Sequence, residues 1–432
     1  MEDVFGAPSP VRASQPASGV TSQGSTEAAV RVASQTDSQA VSQAAWLALA
    51  LALPLTSRRC RRLREAYPDP AELGDLLAAT FARDGSAAQR ALRQLGPPGG
   101  PLDPAQISAL MSLGTRQRVD ETLLWLDAHP DCHLLPVDAA GYPPRLRDTI
   151  DPPPLLFVRG SLAALQGPGI AIVGSRDVSP AGRDTARLMA RELATAGLSI
   201  ISGLALGTDA EAHAGALESA TATVAVMATG IDEVYPRRHA RLAAAIVARG
   251  GALVSEFPLR HPPQPWAFPL RNRLISGMSE GVVVVEAALP SGTLTTARHA
   301  LDQGREVMAV PGPVDHRGSA GCHALLREGA TLVTCADEVL LQLATPLQAA
   351  LDLSTISSKP RPPSPSSSPP PADADERRLW DALASGMQSI DGLVRSTGLD
   401  ASRISGALTR LELDQRVAED SSGRFSRRTL VS

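Results

Sequence analysis

Between residues 137 and 343, short apolar runs bounded by glycines alternate with stretches of helical spacing. The runs are Ile170–Val173, Leu198–Ile201, Thr223–Met227, Ala252–Val254, Val282–Val285, Val307–Val310 and Thr331–Val333, with helical candidates such as 180–197 and 238–249 between them. Apolar runs of this length without polar alternation are typical of strands covered on both faces. Seven of them, interleaved with helices, predict an α/β fold built on a mostly parallel, doubly wound sheet. Ligands of such sheets bind beyond the carboxyl ends of the strands.

The pattern changes on either side. Residues 1–40 are rich in Ser, Gln, Ala and Thr and carry few large apolar groups, so they are expected to be a disordered tail. From 41 to 136 apolar residues recur three and four apart (Leu73, Leu76, Leu77; Ile107, Leu110, Met111; Leu123, Leu124, Leu126), which predicts a small all-α domain. Residues 344–372 end in Pro- and Ser-rich sequence and read as a semi-extended linker. The module at 373–432 reads as three helices (374–385, 390–397, 401–413) and a hairpin over 416–426, a winged-helix pattern.

Composition narrows the function classes. The four cysteines (Cys60, Cys132, Cys322, Cys335) show no paired spacing, so neither a metal site nor a disulfide framework is expected. The sequence starts with acidic residues and no apolar leader, and its greasiest stretch, 46–55, is about half a membrane span. A cytoplasmic protein without membrane attachment is the expectation. The net charge is −4, and of 41 basic residues only Lys359 is a lysine. Any phosphate contact in the folded parts must therefore use arginine, main-chain amides or hydroxyls.

The strand ends hold such groups. Gly174–Ser175–Arg176 follows the first run, and Ser202–Gly203 through Gly207–Thr208–Asp209 follows the second. Beyond the next runs come Tyr235–Pro236–Arg237–Arg238, then Phe268–Pro269–Leu270–Arg271–Asn272–Arg273, then Ser291–Gly292–Thr293. Small residues let amides approach an anion, and helix N-termini add partial positive charge. Residues 169–343 hold 15 Arg against 17 acidic residues, yet the arginines gather at the strand ends while several acids fall on the helices. A focused basic edge matters more for steering an anion than net charge does. Taken one loop at a time, these turns are ordinary α/β punctuation with solvated arginines. Five on one edge point to a phosphate site.

The ordered motifs GYPPRLR (141–147), DPPPLLFVRG (151–160), AIVGSR (171–176), SGLALGTDAEAH (202–213), FPLRNRLISG (268–277), VVVVEA with SGTLTTA (282–297) and GREVMAVPG (304–312) resemble the DprA/Smf family. The resemblance implies an extended Rossmann-like domain that binds single-stranded DNA in a basic pocket, dimerises, and interacts with RecA. Position by position it assigns DNA binding to Gly174, Ser175, Arg176, Ser202, Gly203, Gly207, Arg237, Arg238, Arg271 and Arg273. It implies a non-enzymatic protein with no cofactor and no catalytic residues, acting in DNA uptake, natural transformation and homologous recombination. Cys322 stands where the family commonly has Asn, which weakens one hydrogen bond expected at the pocket floor. The family often carries a C-terminal winged helix, and the N-terminal helices resemble its sterile-alpha-motif-like region.

Rival readings fare less well. A dinucleotide-binding turn needs G-x-G-x-x-G, and Gly174 is followed by Ser175 and Arg176 with Gly182 too late. A phosphoribohydrolase of the lysine-decarboxylase-like type needs a glutamate where Thr295 and Thr296 stand; Glu286 is the one substitute in view. Asp209 and His213 lie four apart without a third ligand, which favours helix capping over metal binding. Tyr235 is expected to pack under its loop, while Phe268 and Trp266 fit either packing or base stacking. The run Arg58, Arg59, Arg61, Arg62, Arg64 reads as a solvated face, with an accessory DNA contact as the alternative. Residues 373–432 carry 9 Arg and 10 acidic residues, so the winged helix suits protein contact or regulation at least as well as duplex binding.

Overall fold

A computed structural model describes residues 43–52, 62, 65–67, 70–81, 102, 104–347, 371, 373–420 and 423–427. The expected N-terminal tail and Pro/Ser-rich linker lie outside the described residues, as does the basic run apart from Arg62.

All seven anticipated strands form. They are β3 (Gly169–Val173), β4 (Ser199–Ser202), β5 (Thr223–Val226), β6 (Ala252–Ser255), β7 (Gly281–Val284), β8 (Glu306–Ala309) and β9 (Thr331–Leu332). They pair in parallel throughout. Two further strands, β1 (Cys132–Pro136) and β2 (Leu155–Gly160), extend the sheet antiparallel at one edge. The spatial order is β1-β2-β6-β5-β4-β3-β7-β8-β9. From β3 the chain winds outward to β6, returns to β7 on the other flank of β3, and continues to β9. The strand order therefore reverses between β3 and β7, where the loops leaving neighbouring strands diverge and open a crevice.

Strand alternation feeds two cores. Ile170 and Ile172 face one layer with Met189 and Leu193 of α1 (Pro180–Thr195) and Val339 and Leu343 of α7 (Ala336–Leu347). Ala171 and Val173 face the other, shared with Ile246 of α3 (Ala240–Ala248), Leu274 and Ile275 of α4 (Ala267–Gly277) and Ala297 of α5 (Thr293–Asp302). This period-two division of wholly apolar strands is what a doubly covered parallel sheet requires. Helix α2 (Thr208–Ala216) follows β4, and α6 (Ala320–Arg327) follows β8.

Helical segments at 43–52, Pro70–Phe81, Pro104–Leu110 and Leu113–Asp127 precede the sheet. Trp46 is fully buried there, and its Nε1 donates to Asp138 Oδ2 at 3.0 Å. At the other end α8 (Ala374–Ala382), α9 (Ile390–Thr397) and α10 (Ala401–Leu413) pack with a three-stranded sheet, β10 (Gln388–Ser389), β11 (Val417–Glu419) and β12 (Arg424–Arg427). Leu379, Trp380, Leu393, Ile404, Leu408, Leu411 and Phe425 fill this winged-helix core. Among the described residues no helix is long and apolar enough to cross a membrane.

Candidate nucleic-acid interface

Three loops meet at the β3/β7 crevice. Thr208 N and Thr208 Oγ1 donate to the Ser175 carbonyl at 3.1 and 3.3 Å, which joins the turn after β3 to the first residue of α2. Thr293 Oγ1 donates to the Gly174 carbonyl at 2.8 Å, joining the same turn to the first residue of α5. Two helix N-termini are thereby drawn to one short turn, which places their partial positive charges around it. Gly207 permits the approach: its φ is +74°, and a Cβ there would sit 2.3 Å from the Ser175 carbonyl oxygen.

The turn after β4 is shaped from beneath. Asp209 Oδ2 accepts from Gly203 N at 3.1 Å and Ala205 N at 3.2 Å, clasping the amides on either side of Leu204, whose φ is +57°. Arg271 Nη1 donates to the carbonyls of Gly203 (2.6 Å) and Val226. Burial raises the Asp209 carboxyl, and the Arg271 charge works against that rise. Burial likewise brings the Arg271 guanidinium down to about 10, with Asp209 opposing and Arg176 adding to the fall. At neutral pH Arg271 stays cationic. Its charge, partly offset by Asp209, is felt at Arg176 through a buried floor, where screening by solvent is weak.

At the mouth the groups are exposed. The Arg176 guanidinium carbon lies 5.3 Å from the Phe268 ring centroid, and the Tyr235 ring follows at 5.8 Å. Tyr235 is 44% exposed, so it is a rim residue and not packed beneath its loop. Arg237 has a side chain 90% exposed and lies 3.9 Å from Glu233, and Arg238 beside it is exposed too. A flat ring under a guanidinium at the end of a turn flanked by two helix N-termini offers stacking and charge together.

The expected site residues divide accordingly. Gly174, Ser175, Arg176, Gly207, Arg237 and Arg238 lie on the carboxyl edge with surfaces open to solvent. Ser202 does not: it is fully buried, and its Oγ donates to the Ile172 carbonyl at 2.7 Å. Gly203 is also floor, its N–H and C=O both used internally. Arg271 supports the floor from α4, 4% exposed. Arg273 is removed from the edge altogether. At 2% exposure it pairs with Glu256 and lies 3.8 Å from Asp151, on the far side of α4. The residue between the two arginines, Asn272, was not anticipated. Its Nδ2 donates to Gly292 O at 3.2 Å and Thr295 Oγ1 at 2.7 Å, tying α4 to the N-cap and first turn of α5.

Other singled-out residues find structural work. Glu286 accepts from Ser179 N (3.0 Å) and Ser179 Oγ, and His316 Nε2 lies 3.7 Å away, so the carboxylate is committed to the start of α1. Cys322 is fully buried with its Sγ 3.6 Å from the carbonyls of Val284 and Val285, and burial pushes its thiol up to about 11. Cys132, Cys322 and Cys335 are free thiols. Among the described residues no cluster of His, Cys, Asp and Glu could hold a metal ion.

The family model described as DNA recombination-mediator protein A matches residues 133–344, and one described as the DprA winged helix domain matches 362–423. Protein Smf of Escherichia coli is 52% identical over 228 residues, which span 53% of this chain and 61% of that protein. DNA processing protein DprA of Streptococcus pneumoniae is 41% identical over 201 residues, 46% of this chain and 71% of that one. The chain belongs to the DprA/Smf family. A solved structure of DprA from Streptococcus pneumoniae agrees in fold, with a TM-score of 0.54 at 32% identity over 68% of this chain and 95% of the other. The DprA/Smf match thus covers the sheet that builds the crevice and the winged helix as far as residue 423.

Proposed function

We propose that the β3/β7 edge binds single-stranded DNA without strong base preference, holding phosphate at the Gly174–Arg176 turn. The observation that carries this reading is the stack of the Arg176 guanidinium on Phe268 with Tyr235 beyond it. Unpaired bases present π-faces that a duplex hides, and a basic groove lined with aromatics is the general solution for binding single strands. Membership in a family of DNA recombination mediators fits this ligand.

We further propose that the protein works in the cytoplasm as a homodimer, protects the strand and passes it to RecA, with no covalent chemistry of its own. The engagement of Glu286 by Ser179 argues against the hydrolase alternative, because a buried carboxylate capping a helix is poorly placed to shuttle protons. The winged helix is proposed to serve protein contact or regulation. Two arginines of α10, Arg403 and Arg410, are paired with Asp375 and Glu376 of α8 at 2.7 and 2.6 Å, so acidic neighbours offset part of the charge that a phosphate would meet there.

The test is competition between a labelled oligo-dT and a same-length duplex. Preference for the single strand, lost in Arg176→Ala, is expected. Equal affinity for the duplex contradicts the reading.

A further inference from the structure

Beside the Arg176–Phe268 contact and the tilted Tyr235 ring stands a second aromatic group that no part of the phosphate pocket uses. Trp266 occupies the N-cap position of α4, two residues before Phe268, and is 57% exposed. Its ring is braced nearly at right angles by Phe257 (5.8 Å, 74°) and His261 (5.5 Å, 71°). Those two rings stack on each other at 4.5 Å and 9°. Phe257 is buried, and with Ala228 and Ala267 it forms a small apolar cluster onto which Phe268 and Leu270 pack. The two aromatic groups are therefore one continuous piece of structure.

The loop that carries Trp266 is stiff. It reads His261–Pro262–Pro263–Gln264–Pro265–Trp266, three prolines in six residues, each fixing its own φ and restricting the residue before it. It is tied to the loop that delivers Tyr235: Gly230 N donates to the His261 carbonyl at 3.0 Å, and Arg260 N donates to Asp232 at 2.9 Å. An indole so exposed but so firmly seated has lost its conformational freedom before any ligand arrives, so a flat partner gains the full stacking contact.

We infer that Trp266 is a second base-stacking position, which receives an unpaired nucleobase of the strand whose phosphate sits at Arg176 and so lengthens the footprint along the α4 side of the mouth. The inference rests on the single-strand reading of that pocket. An unpaired base is favoured as occupant because the Trp266 cluster is continuous with Phe268, which already lies under the Arg176 guanidinium.

Binding of labelled oligo-dT and of an abasic strand of the same length to wild type, Trp266→Leu and Trp266→Phe tests it. Leucine keeps apolar contact with Phe257 but has no flat face; phenylalanine keeps a face. Stacking predicts that Trp266→Leu weakens oligo-dT binding about 5- to 150-fold. Trp266→Phe should retain most of the affinity, and neither variant should alter binding of the abasic strand. Should the leucine variant fail to fold, Trp266→Gln, polar and suited to an exposed position, gives the same comparison. Unchanged oligo-dT binding in the leucine or glutamine variant overturns the inference, as does an equal loss for the abasic strand. A wild type that ignores oligo-dT, or whose binding survives Arg176→Ala, overturns the pocket reading itself.

Discussion

Arg271 fills the space that a side chain at Gly203 would need. Its two terminal nitrogens stand 2.6 Å from where a Cβ would be, while one of them donates to the Gly203 carbonyl at 2.6 Å. The floor of the site is thus a glycine and an arginine fitted to each other, with Asp209 closing the turn behind them. Gly203→Ala forces the guanidinium out of this fit and is expected to cost about 1–3 kcal/mol, as overpacking does elsewhere. Denaturant midpoints measure the loss, and oligo-dT affinity should fall with it. A variant as stable as wild type contradicts the account of the floor.

Arg273 gives the contrasting case. Its guanidinium is sealed with Glu256, whose carboxyl is raised by burial and held down by the arginine. Arg273→Ala strands that acid, buried and near Asp151, without a cation and should destabilise the protein by about 3–5 kcal/mol. At a temperature where the variant is still folded, its affinity for oligo-dT should match wild type. A specific loss of DNA binding without loss of stability would return Arg273 to the interface.

The pair of arginines also shows what could be read from the sequence and what was passed over. The seven parallel strands were legible because doubly covered strands leave unbroken apolar runs. The Gly-Ser-Arg turn was legible from its place after the first of them. The FPLRNR segment was read as loop, so all its basic residues were assigned to one edge. It forms the first half of α4, and on a helix residues two apart point about 200° from each other. Arg271 and Arg273 could never have shared a face, and Asn272 between them was free to reach a third direction. Ser202 was lost for a similar reason: it still belongs to β4, where alternation turns its hydroxyl inward to Ile172. The antiparallel edge escaped notice because Cys132–Pro136 adjoins a long helix and Leu155–Gly160 follows three prolines.

Acid sensitivity is expected from His213. It is fully buried with Nδ1 2.8 Å from Thr223 Oγ1, and burial, reinforced by the His239 and Arg271 charges, brings its pKa down from 6.5 to about 3. The unfolded chain therefore binds a proton below its ordinary value that the folded chain refuses. Stability is full above that value and falls as pH drops toward the folded one, by at most about 1.4 kcal/mol per pH unit. Melting temperatures between pH 7 and 5 should fall more steeply for wild type than for His213→Gln. Equal slopes contradict the assignment.

Removal of residues 360–432 should leave single-strand affinity within about threefold of wild type, a change below about 0.7 kcal/mol. The residues of the phosphate turn and its aromatic rim belong to the sheet domain, and of the winged helix only the β11–β12 end, with Glu419, Asp420 and Arg424, lines the cavity beside Ser175 among the described residues. Titration of the truncated protein with oligo-dT checks this, and a collapse of binding would place part of the interface on the winged helix.

The central claim is that Arg176 neutralises a phosphate at the mouth of the β3/β7 crevice. The most direct measurement is the affinity for oligo-dT across a salt series, for wild type and Arg176→Ala. Each neutralised phosphate on a single strand contributes about −0.7 to the slope of log affinity against log salt. The account predicts a negative slope for wild type, and for Arg176→Ala weaker binding with a slope shallower by about 0.7. Wild-type affinity and an unchanged slope in Arg176→Ala would contradict it.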